Sequence, residues 1–248
     1  MPAGSAAANL HPAGRAVTLY AACGPELAGR RLLVNGRRVA AVRFGRVALL
    51  LAYVDPVQYA PSELERRRAD AAFLAHEVRI HERAVERASA HGSVLPLHPL
   101  TVVTGTNDLE AYAREHAARW TRALTRLGDK REYAVHLYVG PHHVPLAEPY
   151  LLRVSGRATR SNRAPAIEAR SDIAEHAQSV WGACSALAQS LRAVPSPERR
   201  GALWSAALLV APGDVAPLAE AVERSCAAGA PLGITAYLEG PRAPFTFV

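Results

Sequence analysis

Cysteine is scarce in this sequence: three occur in 248 residues, and they stand far apart as Cys23, Cys184 and Cys226. None forms the Cys-x-x-Cys pair that zinc sites and thiol redox motifs use, and an odd number cannot pair completely in disulfides. We therefore expect reduced and mostly buried thiols, no metal or cofactor, and a cytoplasmic location.

Long apolar runs are also missing. The longest is Val47–Val54, which has the length of a strand, whereas a membrane-spanning helix needs about 18 consecutive apolar residues. Residues 1–14 contain no basic region ahead of an apolar block, so we expect a loose tail and not a secretory signal. The sequence thus predicts no membrane span.

Lysine is nearly absent, since Lys130 is the only one, yet the formal net charge is +7 and the sequence pI is about 9.8. A basic face is the electrostatic signature of phosphate binding. Here the arginines are scattered among alanines, and the densest run, Arg66, Arg67 and Arg68, lies at the start of a predicted helix. Positive charge there opposes the helix dipole. We interpret the charge as a solvated surface and expect no nucleic-acid partner.

Apolar side chains are abundant, because half of the residues are hydrophobic and 21% are charged. These proportions are typical of globular proteins, and the length suits one large domain or two compact ones. Several segments show the alternation or the short apolar run that is typical of strands. They are residues 17–21, 38–44, 47–54, 94–97, 133–139, 150–154, 202–210 and 232–238.

Four of these strands carry expectations about burial. Residues 17–21 alternate as a half-buried strand does, while Val47–Val54 is apolar on both faces and is expected at the sheet centre. Pro96 places residues 94–97 at a sheet edge or a strand end. Polar side chains at positions 132, 136 and 138 predict one solvated face for the strand 133–139.

Four segments have the apolar repeat of amphipathic helices. Ser62 with Glu65, and Asn107 with Glu110, have the capping-box spacing that marks a helix start, which predicts helices over residues 62–90 and 107–127. Two further helices are expected, one ending near residue 193 and one from Asp214 to about residue 228. In the first helix the apolar stripe consists of Leu74, Val78, His81, Val85 and Ala88.

The order of these elements predicts an α+β protein of two domains, residues 1–104 and 105–248. Each is expected to be a small, mostly antiparallel sheet with helices packed on one face, in a ferredoxin-like or modified ferredoxin-like fold.

The end of the chain, residues 240–248, is unusually apolar. Gly240 and Pro241 are expected to end the last strand, and Pro241 with Pro244 to hold the segment extended. Its apolar side chains must be buried, either against the chain's own second domain or against a partner. The first is favoured because the segment continues directly from a strand. These side chains are Phe245, Phe247 and Val248.

Four segments, taken together, resemble the gas vesicle F/L family. They are the strand at Leu19 and Tyr20; His81 and Val85 followed by the Val-Leu-Pro-Leu run at 94–97, which includes Leu95 and Pro96; the Tyr-Leu-Leu-Arg run at 150–153; and the chain end from Gly240 to Val248. Two segments depart from the family pattern. Arg242-Ala243 stands where the family has Trp-Pro, and residues 98–101 stand where it has Arg-Phe-Gly-Thr.

This resemblance implies an accessory protein that assists nucleation or assembly of the gas vesicle shell. Its implied partners are the shell subunit and other accessory proteins, its implied location is the cytoplasm and the gas vesicle, and no catalysis is attached to the family. The residues that we single out as a partner-binding or structural motif are Gly240, Pro241, Pro244, Phe245, Phe247, Val248, His81, Leu95 and Pro96.

Arrangements suited to catalysis or metal binding are sparse. Pairs that can present two ligands are His142 with His143, Glu77 with His81, and Asp172 with His176. We interpret them as loop residues and ordinary helix-face pairs, and His81 as a neutral core histidine. The alternative function is a ferredoxin-like small-molecule enzyme or ligand sensor, whose pocket between sheet and helices uses His81, His136 or Tyr138.

Overall fold

The structure, a computed structural model, describes residues 16–140, 171–195 and 202–248. Within it the chain divides into two compact units, one up to Gly128 and one from Asp129 to Phe247. The predicted tail 1–14, the histidine pair 142–143 and the strand 150–154 lie outside the described residues.

The first unit is built on a five-stranded antiparallel sheet with the order β2-β3-β4-β1-β5. Its strands are β1 (Ala16–Cys23), β2 (Arg31–Val34), β3 (Arg37–Phe44), β4 (Val47–Val54) and β5 (Val94–Thr104). β4 lies inside the sheet as predicted, and β5 with Pro96 forms an edge. β2 was not predicted; a tight turn joins it to β3 at Asn35 and Gly36, which both have positive φ angles.

The predicted single helix over residues 62–90 is wrong, because two helices occupy this segment: α1 (Pro61–Arg67) and α2 (Ala71–Ser89). The Asp70 carboxylate accepts hydrogen bonds from the backbone N–H groups of Ala72 and Phe73, at 2.9 and 3.1 Å, and so starts a new helix. α1 begins at a proline, with Ala60 and not Ser62 at the cap position.

α3 (Thr106–Leu127) belongs to the first unit and starts after Gly105, so Asn107 lies within its first turn and not at the cap. α2 and α3 contact opposite faces of the sheet. Arg37 meets Glu77 of α2, whereas Phe44, an odd number of residues along the same strand, lines a groove with α3. Cover on both faces explains why β1 is buried along its whole length, where sequence alternation predicted a half-buried strand.

The second unit has a four-stranded antiparallel sheet with the order β7-β8-β6-β9. Its strands are β6 (Arg131–Val139), β7 (Ser190–Val194), β8 (Ala202–Val210) and β9 (Ile234–Arg242), and its helices are α4 (Ser171–Leu187) and α5 (Val215–Gly229). The core between helices and sheet includes Val135, Leu137, Trp181, Trp204, Leu208 and Leu218.

Two expectations for α4 and β6 are wrong. The third predicted helix ends at Leu187 and not near residue 193, because Leu191 and Ala193 lie on β7 with the alternating burial of a strand. The face of β6 that was expected to be solvated is buried: Glu132, His136 and Tyr138 are 0%, 5% and 1% exposed.

The predicted class is confirmed: the protein is α+β, with two antiparallel sheets and helices packed on them. The boundary between the two units follows Gly128 in the chain, whereas the sequence-based boundary followed residue 104. The difference is α3, which packs on β5, β4 and β3 of the first unit. None of the helices described is long and apolar enough to span a bilayer.

Candidate functional site in the C-terminal segment

β9 does not end at Gly240, as the sequence predicted, but continues through a cis Gly240–Pro241 peptide bond to Arg242. Gly240 has a φ angle of 138°, which disfavours any residue with a Cβ atom. A Cβ atom there would lie 2.6 Å from Cδ1 of Tyr133 and 3.1 Å from the carbonyl oxygen of Glu132. This position therefore requires glycine.

The last residues turn instead of remaining extended. After Ala243 the chain forms a short 3₁₀ turn, Phe245–Phe247, in which the N–H group of Phe247 donates to the carbonyl oxygen of Pro244 at 3.2 Å. Phe245 and Phe247 are buried, at 7% and 3% exposure, but Val248 is 52% exposed and is not buried as expected.

Glu132 holds this turn. Its buried carboxylate accepts a hydrogen bond from the backbone N–H group of Thr246 at 2.7 Å and one from the Thr246 hydroxyl at 2.9 Å. Arg192 of β7 donates to the carbonyl oxygen of Thr246, and its guanidinium lies 5.1 Å from the centre of the Phe247 ring. All of these residues belong to the second unit, so the segment docks on its own domain.

Sequence reasoning missed Glu132, Arg192 and Thr246. Glu132 was assigned to a solvated face, and its partner follows 114 residues later. The one available signal was a threonine between two phenylalanines at an apolar chain end, because a polar residue in such a setting needs a buried partner.

The other candidate residues lie in the first unit, around β1. Leu95 and Pro96 are buried on β5 and pair with Ala22 and Ala21. His81 on α2 meets the ring of Tyr20 edge-on, with the ring centres 5.8 Å apart. Burial, and then the electrostatic effect of His98, lower the pKa of His81 to about 3. The imidazole is therefore neutral at neutral pH, as a core histidine is expected to be.

A buried ion pair lies one helical turn before His81. Arg37 donates to both carboxylate oxygens of Glu77 at 2.7 and 2.8 Å, and the Tyr59 hydroxyl donates to Glu77 at 2.8 Å. Arg37 also donates to the hydroxyl of Tyr20 at 3.2 Å. Burial, and then the negative charge of Glu77, raise the pKa of Tyr59, so its hydroxyl stays protonated. Glu77 therefore serves this network.

The second unit contains a serine, histidine and glutamate in sequence-distant positions. Nδ1 of His136 lies 2.7 Å from Oγ of Ser205, and its Nε2 lies 3.9 Å from Oε2 of Glu239. Arg242 binds the same carboxylate oxygen at 2.6 Å. The order of groups is that of a hydrolase triad, but Ser205 is 1% exposed, so a substrate cannot reach its hydroxyl.

The helix pair Asp172 and His176 makes contacts with the backbone of the second unit. Nε2 of His176 lies 3.0 Å from the carbonyl oxygen of Ser225, and Asp172 accepts from the backbone of Ile173. In the three described segments no group of three or more histidine, cysteine, aspartate or glutamate side chains is arranged to hold a metal ion.

The family profile described as gas vesicle synthesis protein GvpL/GvpF matches residues 16–248, almost the whole chain. The chain belongs to this family. The match includes both units and the docked C-terminal segment, so the resemblance first drawn from four short motifs is confirmed.

Solved structures agree on the fold. The crystal structure of gas vesicle protein GvpF from Anabaena sp. PCC7120 is similar with a TM-score of 0.61 and 15% sequence identity, covering 94% of this chain and 95% of that one. GvpF from Microcystis aeruginosa is similar with a TM-score of 0.56 and 13% identity, covering 95% and 99%. Comparison with curated proteins gave no significant match.

Proposed function

We propose that this GvpL/GvpF family member is an accessory protein that assists nucleation or assembly of the gas vesicle shell. It acts by protein–protein contacts with the shell subunit and with other accessory proteins, in the cytoplasm and at the gas vesicle, and it is not an enzyme. The observation that carries the proposal is the family match over residues 16–248, because it includes both folded units and not a shared fragment.

The internal chemistry is consistent with a binding protein. Glu77 and Glu132 are both buried and hold the fold, Glu77 through Arg37 and Tyr59, and Glu132 through Thr246. His81 is neutral and packed on Tyr20. We therefore assign these groups to stability, and assign partner recognition to the exposed surface.

The C-terminal segment is likewise proposed to contribute by stabilising the fold. Gly240 shapes β9, while Phe245 and Phe247 fill space in the second unit. The segment then supports the surface that meets a partner without being the contact itself.

Co-purification tests this proposal. The tagged full-length protein is expressed together with the shell protein and the other accessory proteins of a gas vesicle gene cluster, and is then purified at low and at high salt. We expect the shell protein or an accessory protein to co-purify in a defined ratio. Recovery of the tagged protein alone under every condition would contradict the proposal.

A further inference from the structure

A groove of about 560 Å³ lies within the first unit, between the β3–β4 turn and α3. We call it the α3 groove. Phe44 at the end of β3 and Ala113 and Ala117 on α3 contribute its apolar wall, and Arg46 and Arg114 lie at its margin with Glu110. Phe44 is only partly buried, so its ring remains available to a bound group.

The wall formed by α3 suits a second helix. Ala117 and Thr121 are four residues apart and partly exposed, and Ala118 lies exposed beside them, while Ala113 one turn earlier is buried beneath this row. Such a row is one of the ridges along which helices pack, and short side chains let the two axes come close. A bound strand fits less well, because β3 and β4 are both interior strands whose backbone groups are paired within the sheet.

The charged residues at the margin of the α3 groove indicate which side chains the second helix carries. Across the part of the chain that the structure describes, Arg46 and Arg114 have no carboxylate within ion-pair distance. The surrounding unit is basic: residues 1–128 contain 17 arginines and 11 acidic residues, a net +6, whereas residues 129–248 contain 12 basic and 11 acidic residues, a net +1. A partner with carboxylates beside an apolar stripe is therefore complementary.

We propose that the α3 groove binds an amphipathic helix of a partner protein, with the partner's apolar stripe on α3 and its acidic side chains at Arg46 and Arg114. The proposal rests on the proposed function, because it names the surface of the first unit through which an accessory protein makes one of its contacts. It adds the chemistry of the partner, an acidic amphipathic helix.

Site-specific crosslinking tests the location. A photoreactive benzoyl-phenylalanine replaces Ala118 in the groove or, as the control, Ala72, which is exposed at the start of α2. Each full-length variant is expressed with the shell protein and the accessory proteins in cells that form gas vesicles. We expect position 118 to crosslink one partner at least fivefold more than position 72, and mass spectrometry to place the crosslink in an acidic amphipathic helix. A crosslink to a second copy of this chain, or to a segment without carboxylates, would overturn the proposal, as would yields equal to the control.

Charge reversal tests the recognition. Arg46→Glu combined with Arg114→Glu is compared with Arg79→Glu combined with Arg119→Glu, which makes the same charge change at exposed positions outside the groove. We expect the groove pair to reduce the co-purified partner at least tenfold and the control pair to leave it within twofold, with equal urea midpoints.

Co-purification with the wild-type protein distinguishes a failure of the groove proposal from a failure of the proposed function. If the wild type captures a partner and the groove pair captures as much, the groove proposal fails while the proposed function stands. If the wild type captures none, the proposed function fails first.

Discussion

The two units hold a buried glutamate in different ways. In the first, Glu77 binds a cation: Arg37 donates to both of its oxygens, and Tyr59 adds a hydroxyl. In the second, Glu132 accepts from the amide and the hydroxyl of Thr246, at the very end of the chain. The first network closes between a helix and the sheet, whereas the second forms only when the C-terminal segment is in place. We infer that the last residues of the chain are part of the second unit's core.

The largest effect is expected from the C-terminal segment. Replacing both Phe245 and Phe247 with serine removes two buried rings, and large-to-small changes of a buried phenylalanine cost about 3–5 kcal/mol each. The double variant should therefore lose more than about 5 kcal/mol, enough to unfold the second unit in mild urea.

Val248→Ser is the matched control for that variant, because Val248 is mostly exposed and should change stability by less than about 0.5 kcal/mol. A double variant that is as stable as the wild type but no longer co-purifies with the shell protein would show that the phenylalanines contact the partner directly.

The next largest loss of stability is expected in the first unit, when Glu77 is removed. Glu77→Ala leaves Arg37 without its bidentate partner in a largely buried site, and breaking such a pair costs about 3–5 kcal/mol. Glu65→Ala is the control, since Glu65 and Arg68 form an exposed pair worth at most about 1 kcal/mol. Equal urea midpoints for the two variants would contradict the role given to Glu77.

Gly240→Ala probes the strand that leads into the docked segment. The added Cβ atom meets Tyr133 and demands an unfavourable φ angle, so we expect a loss of about 1–3 kcal/mol. Gly213→Ala serves as the control, because an added Cβ atom there has open space and no positive φ angle. If thermal unfolding does not distinguish the two variants, the close approach at Gly240 is not a constraint.

The effect expected from His81 depends on pH. Its pKa is about 3 in the folded protein, against about 6.5 for an unperturbed histidine. Between these values the unfolded chain binds more protons, so stability is full above about pH 6.5 and falls by about 1.4 kcal/mol for each pH unit below it. Between pH 7 and pH 5 the wild type should lose about 2 kcal/mol more than His81→Leu in urea unfolding. Parallel losses in the two proteins would show that His81 is not buried neutral.

Elements with an unambiguous pattern were predictable from the sequence. β4 was predicted with its observed bounds, because Val47–Val54 is apolar on both faces. β2 was missed because it has only four residues, and β7 because Leu187 and Leu191 are also spaced as on a helix. The break between α1 and α2 was missed because it depends on the side chain of Asp70, which caps α2. The capping-box spacing of Ser62 and Glu65 predicted one continuous helix instead.

The candidate site was predictable only in part. Apolar residues at the chain end indicated a docked segment, but the group that receives it did not stand out, because Glu132 alternates like an exposed strand residue. A long-range contact between one acid and one backbone amide leaves no local pattern. For the same reason the sequence did not reveal the α3 groove, which joins a strand turn to a helix more than 60 residues later.

Gas vesicle formation in a strain that lacks this protein tests the central claim most directly. Electron microscopy would count gas vesicles per cell in the deletion strain, alone and complemented with the wild type or with Phe245→Ser combined with Phe247→Ser. We predict few or no gas vesicles in the deletion strain, normal numbers with the wild type, and no recovery with the double variant. Normal numbers of gas vesicles in the uncomplemented strain would contradict the account.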